Sequence, residues 1–111
     1  MNDGIPGPGN GGKPSPEEMH RHAEEAAHFL KLMANPNRLM ILCYMIEGEY
    51  SVGELNENLE LSQSALSQHL AILRNSGLVK TRRHQQTIYY RLASPPVKAI
   101  IAELYDQFCR K

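Results

Sequence analysis

Cys43 and Cys109 are the only two thiols in the chain, and they stand 109 − 43 = 66 residues apart. That spacing excludes a CxxC metal or redox motif, and two cysteines are too few for a disulfide-built scaffold. Cys43 lies inside the apolar run LMILCYM, where a free cysteine often serves as a small buried hydrophobe. Cys109 is followed by Arg110 and Lys111, whose charge favours the reactive thiolate, whereas the negative end of a helix running up to it opposes that. Residue chemistry alone leaves both readings open, inert packing and a functional pair.

A second kind of chemistry is electrostatic. Twelve Lys plus Arg balance twelve Asp plus Glu, which excludes a uniformly basic polyanion-coating protein but says nothing about local patches. Residues 61–93 in fact hold Arg74, Lys80, Arg82, Arg83 and Arg91 and no acid. Within the same stretch, Leu66, Leu70 and Leu73 fall on one helical face, and Ser64, Ser67, Gln68 and Ala71 on the other. A solvated face usually carries Lys and Glu. A face of short hydroxyls and amides instead suits approach to base edges, and arginines near a hairpin tip suit phosphate or minor-groove contacts. The expected DNA-binding residues are Gln63, Ser64, Ser67, Gln68, Arg82, Arg83 and Gln85.

The other candidates are weaker. His20, His22 and His28 share a helix, but separations of two and six do not place them on one face for chelation. The last helix offers Glu103 and Asp106 without the nitrogen or sulfur ligands that borderline metals need. His69 adjoins the leucine face and reads as a hydrogen-bonded packing residue. No Ser/His/Asp set or carboxylate pair stands out, and the Gly-rich start lacks the preceding strand and GK[ST] ending of a phosphate loop. Neither catalysis nor a cofactor or metal is expected.

These side chains need elements to position them. Residues 1–16 contain five of the eight glycines and four of the seven prolines and have little to bury, so they read as a disordered arm, leaving 17–111 as one domain. A domain this small buries only about two-thirds of its unfolded surface, so a second subunit would help. Ser15, Pro16, Glu17 and Glu18 start a first helix that runs to about Ala34. Asn35 and Pro36 start a second, core helix with the stripe Leu39, Leu42, Cys43 and Ile46, ending at Gly48. Val52, Leu55 and Leu59 mark a short third helix. Ser62 caps a fourth that stops at Gly77, and the LELS connection between them has the proportions of a helix-turn-helix. Residues 78–83 and 87–92 flank the polar tip His84, Gln85, Gln86 as a β-hairpin, with Ile88, Tyr90 and Leu92 to one face. Pro95 and Pro96 open a last helix with a wide apolar stripe: Val97, Ile100, Ile101, Leu104, Tyr105 and Phe108. The class is mainly α with one hairpin. No apolar run approaches the ~18 to 20 residues of a membrane span and no signal pattern opens the chain, so a cytoplasmic location is expected.

The stretches NPNRLMILCYM, SVGELNENLELSQSALSQHLAILRNSGLV and TRRHQQTIYYRL, in this element order, resemble the ArsR family of transcriptional regulators over about residues 17–110. The resemblance implies a winged helix-turn-helix, a homodimer through the first and last helices, and an imperfectly palindromic double-stranded operator. Where metal sensors of the family carry a CVC-type motif, this chain reads SVGEL. Cys43 in RLMILC and Cys109 in YDQFC instead match the BigR/SqrR/HlyU-like branch, whose members respond to reactive sulfur species. On that resemblance Cys43 and Cys109 are the redox-sensing pair of a repressor, joined by a disulfide or longer polysulfide bridge that weakens operator binding. A metal-responsive repressor and a winged-helix protein-interaction module are the alternatives. The Gly/Pro arm is not explained by the resemblance.

Overall fold

The computed structural model describes residues 12–109, so the arm expected over residues 1–16 lies mostly outside the described residues, as do Arg110 and Lys111. The chain divides into two units between Lys31 and Leu32. In the first, helix α1 (Pro16–Met33) begins and then continues into the second. Its start is fixed reciprocally: Glu18 N–H donates to Ser15 Oγ at 3.1 Å, and Ser15 N–H donates to Glu18 Oε1 at 2.9 Å. His20 lies 3.3 Å from Glu24 one turn on.

In the second unit Asn35 and Ser62 cap helices where the sequence puts them. Asn35 Oδ1 accepts from the N–H groups of Asn37 and Arg38 at 2.9 and 3.1 Å and opens α2 (Pro36–Tyr44). The helix does not continue to Gly48 as expected; it tightens after Tyr44 into a single 3-10 turn, Met45–Glu47. A two-residue strand, β1 (Tyr50–Ser51), follows, and Ser51 at once caps α3 (Val52–Asn58) in a reciprocal pair with Glu54 at 3.1 and 2.8 Å. Ser62 Oγ accepts from Ala65 N–H at 3.1 Å to open α4 (Gln63–Asn75). Gly77, at φ 79°, closes α4: its own N–H donates to Arg74 O at 3.1 Å, and Leu78 N–H reaches back to Leu73 O at 2.9 Å.

Strands β2 (Val79–His84) and β3 (Thr87–Leu92) pair antiparallel from Val79↔Leu92 to His84↔Thr87. His84 therefore belongs to the ladder and the turn is only Gln85 and Gln86, with Gln85 left-handed at φ 57°. Strand β1 adds to the outer side of β3, with Tyr50 opposite Tyr90, so the hairpin is part of a three-stranded sheet in the order β1-β3-β2. Helix α5 (Pro95–Phe108) starts at Ser94 and packs on α2.

The core lies where these elements converge. Ile41, Leu42 and Met45 meet Leu55, the α4 leucines Leu66, Leu70 and Leu73, Leu78, and Val97 and Ile101 of α5, all buried. The α4 leucine face is as expected. The α2 stripe is displaced: Ile41 and Met45 join Leu42 in the core, while Leu39, Cys43 and Ile46 are only half-buried. The α5 stripe is also only partly used, since Ile100, Tyr105 and Phe108 remain exposed.

Candidate functional site

The half-buried face of α2 lines a cavity of about 610 Å³ between α2, α5 and the segment from Ile46 to Tyr50. Leu39, Cys43 and Ile46 form one wall, Tyr105 and Cys109 of α5 another. Tyr50 of β1 contributes an aromatic side, its ring 4.9 Å from that of Tyr44. Both cysteines, 66 residues apart in sequence, thus border one space, and both are free thiols. They differ in setting. Cys109, at the C-terminal cap of α5, is exposed. Cys43 is half-buried, and burial first, then the neighbouring Cys109, pushes its thiol up from the ordinary value. An exposed thiol beside a recessed, protonated one can carry out sequential thiol exchange.

Helices α3 and α4 form a helix-turn-helix. Gln63, Ser64, Ser67, Gln68 and Ala71 all lie exposed along α4, opposite its buried leucines. Arg83 and Gln85 are exposed at the free end of the hairpin. His69 is half-buried beside the leucines, and its Nδ1 finds no hydrogen-bond partner among the described residues.

Arg82 departs most from the sequence reading. Its guanidinium forks onto Glu49, with Nη2 at 2.8 Å and Nε at 3.0 Å from Oε1, and rests over the Tyr89 ring at 5.0 Å. Arg91 Nε approaches the same carboxylate at 3.5 Å. The hydrogen bond from Arg82 holds the Glu49 carboxyl below the usual range; desolvation opposes it, and the charges of Arg82 and Arg91 add smaller contributions in the lowering direction. The acid-free segment of sequence is therefore not acid-free in space. No local signal marks Glu49, since the contact spans 33 residues and depends on β1, which the sequence reading lacks.

A helix-turn-helix with an exposed amide-and-hydroxyl helix, followed by a basic antiparallel wing, defines a winged-helix DNA-binding protein. The profile of the bacterial regulatory protein, arsR family, matches residues 35–81, from the α2 cap into β2. The transcriptional activator HlyU of Vibrio cholerae serotype O1 is 53% identical over 94 residues, 85% of this chain and 87% of that protein. The structure of reduced HlyU from Vibrio cholerae N16961 superposes with a TM-score of 0.79 at 54% identity, covering 84% of this chain and 98% of that one. That of the transcriptional repressor BigR from Xylella fastidiosa gives 0.79 at 43% identity, covering 86% and 95%. The chain belongs to the arsR family of bacterial transcriptional regulators, in the branch that holds HlyU and BigR. These relatives are named as regulators, not enzymes, and no described helix is long and apolar enough to cross a membrane.

Proposed function

We propose that the protein is a thiol-switched repressor. Residues 17–111 serve as its DNA-binding and dimerisation domain, and a homodimer grips an imperfectly palindromic operator through Gln63, Ser64, Ser67 and Gln68 of α4 and Arg83 and Gln85 of the wing. Arg82 joins them once released from Glu49. The dimer reading is supported by the apolar side chains left uncovered on the terminal helices, Met19 and Leu30 on α1 and Ile100, Tyr105 and Phe108 on α5. A two-fold pair would set its recognition helices about one DNA turn apart, ~34 Å.

The inducer is a reactive sulfur species, and the observation that carries this reading is the shared cavity of Cys43 and Cys109. The exposed Cys109 thiolate attacks the terminal sulfur of a persulfide RS–SH; the S–S bond breaks, RS⁻ leaves and Cys109 becomes a persulfide. Cys43, deprotonating as it reacts, attacks the Cys109 sulfur and expels HS⁻, leaving a disulfide. Two thiols are oxidised and the terminal sulfur of the donor is reduced to sulfide. If Cys43 has also been persulfidated, the same expulsion of HS⁻ leaves a trisulfide, which spans a wider gap. Either bridge ties α2, which carries core residues behind α4, to α5 at its exposed apolar face. A coupling of ~1 to 3 kcal/mol would change DNA affinity ~5- to 150-fold.

The test is binding to a duplex enriched from a random library by the reduced protein. Affinity should fall on treatment with a persulfide donor, return with reductant, and stay unchanged on treatment of Cys109→Ser. An undiminished response in Cys109→Ser refutes the switch, and binding that ignores ionic strength refutes the DNA reading.

A further inference from the structure

We infer that Glu49 occupies Arg82 in place of a DNA phosphate and so holds down the protein's own affinity for DNA, an inference that rests on the DNA-binding reading above. The guanidinium fork is the group that recognises phosphate, and a carboxylate satisfies it with the same two-donor geometry. In this fold the fork is filled: Nε lies 3.0 and 3.2 Å from the two Glu49 oxygens, and Nη2 is 2.8 Å from Oε1. Arg91 is drawn to the same acid at 3.5 Å, so a single carboxylate engages two of the four Lys and Arg side chains of the wing, Lys80, Arg82, Arg83 and Arg91.

The position suits competition better than structural anchoring. The side chains of Arg82 and Glu49 retain 49% and 29% of their exposure, and exposed ion pairs contribute little to folding. The depressed Glu49 carboxyl supports full ionisation at neutral pH. Tyr89, beneath the guanidinium, keeps Arg82 lying along the sheet rather than extended outward. A phosphate that recruits Arg82 must first displace Glu49. Sequence-independent binding is thereby weakened, and a site must supply base contacts through α4 to hold the protein.

The experiment measures binding of the reduced full chain to a mixed-sequence duplex by fluorescence anisotropy, from about 50 to about 200 mM salt, the range over which phosphate contacts change affinity most visibly. Wild type, Glu49→Gln, Arg82→Gln and the double variant are compared. Glu49→Gln should bind tighter, with a slope of log K against log salt steeper by about 0.9 for Arg82 alone and about 1.8 if Arg91 follows. With one extra contact its advantage over wild type should be about 3.5-fold larger at the low-salt end than at the high-salt end. Arg82→Gln alone should leave the slope on this mixed-sequence duplex unchanged, because without base contacts Glu49 keeps the guanidinium from the phosphates, whereas binding to the enriched operator, where Arg82 is released, should weaken. In the double variant the added slope attributable to Arg82 should vanish, leaving any general effect of removing a negative charge. An unchanged slope in Glu49→Gln, weaker binding by that variant, or a slope flattened by about 0.9 in Arg82→Gln alone overturns the inference. Should Glu49→Gln fail to fold, the Arg82→Gln slope decides by itself. Wild-type binding without salt dependence would fail the DNA reading instead, so the two failures are distinct.

Discussion

Alkylation of Cys43 across pH tests the thiol environment most closely. Burial and the neighbouring Cys109 both favour its neutral form, so its titration lies above the ordinary 9.0. At pH 7 less than about 1 in 100 Cys43 side chains is then thiolate, and at pH 8 less than about 1 in 10. Since only the thiolate reacts, alkylation by uncharged iodoacetamide should speed up about tenfold per pH unit between 7 and 8 and still be rising at 9. Peptide mass spectrometry after a timed acid quench follows the two cysteines separately. In Cys109→Ser the smaller of the two causes is gone, so the Cys43 profile should move to lower pH, yet burial should keep it above 9.0. The same shift has a stability consequence. The folded state binds this proton more tightly than the unfolded chain, so its contribution is complete below pH 9 and is lost as pH rises through the folded-state titration. A Cys43 rate already level by pH 8, or a profile that Cys109→Ser leaves unmoved or shifts upward, would refute the reasoning.

Three further outcomes follow from packing and backbone geometry. Leu70→Ala removes a side chain that is 1% exposed beneath the recognition face and should cost ~2 to 5 kcal/mol in urea unfolding; a loss below ~1 kcal/mol would mean α4 is not seated as described. Gly77→Ala meets no atom within 4 Å, so its cost is that of a left-handed backbone alone, ~1 to 2 kcal/mol, and an unchanged Tm would contradict the helix-ending geometry. Phe108→Asp places a charge on an apolar side chain that is 71% exposed and should shift sedimentation from dimer toward monomer without lowering the urea midpoint of the isolated subunit; unaltered association would remove α5 from the interface.

What was legible in the sequence was local. Ser15, Asn35 and Ser62 each stand where a cap is needed, Gly77 is left-handed at the end of α4, and the leucine spacing in α4 specifies a single buried face. What was hidden depends on distant pairing. Two residues at 50 and 51 carry no periodicity, and they form a strand only because β3 offers its free edge some forty residues later. Without β1 there was no reason to bring Glu49 onto Arg82, so the wing looked purely cationic. The α2 stripe was misplaced for a related reason. A nine-residue helix packed on several sides has apolar side chains all round, and spacing alone cannot tell the core face from the cavity face that holds Cys43.

The shared cavity of the two cysteines carries the rest of the functional account, and tandem mass spectrometry of the persulfide-treated, non-reduced protein tests it most directly. The account predicts a linked peptide pair within one chain, joining Cys43 to Cys109 through two or more sulfur atoms and reverting to free thiols on reduction. Persulfidation that stops at Cys109 without a link, or bridges formed only between Cys109 residues of different chains, would contradict it.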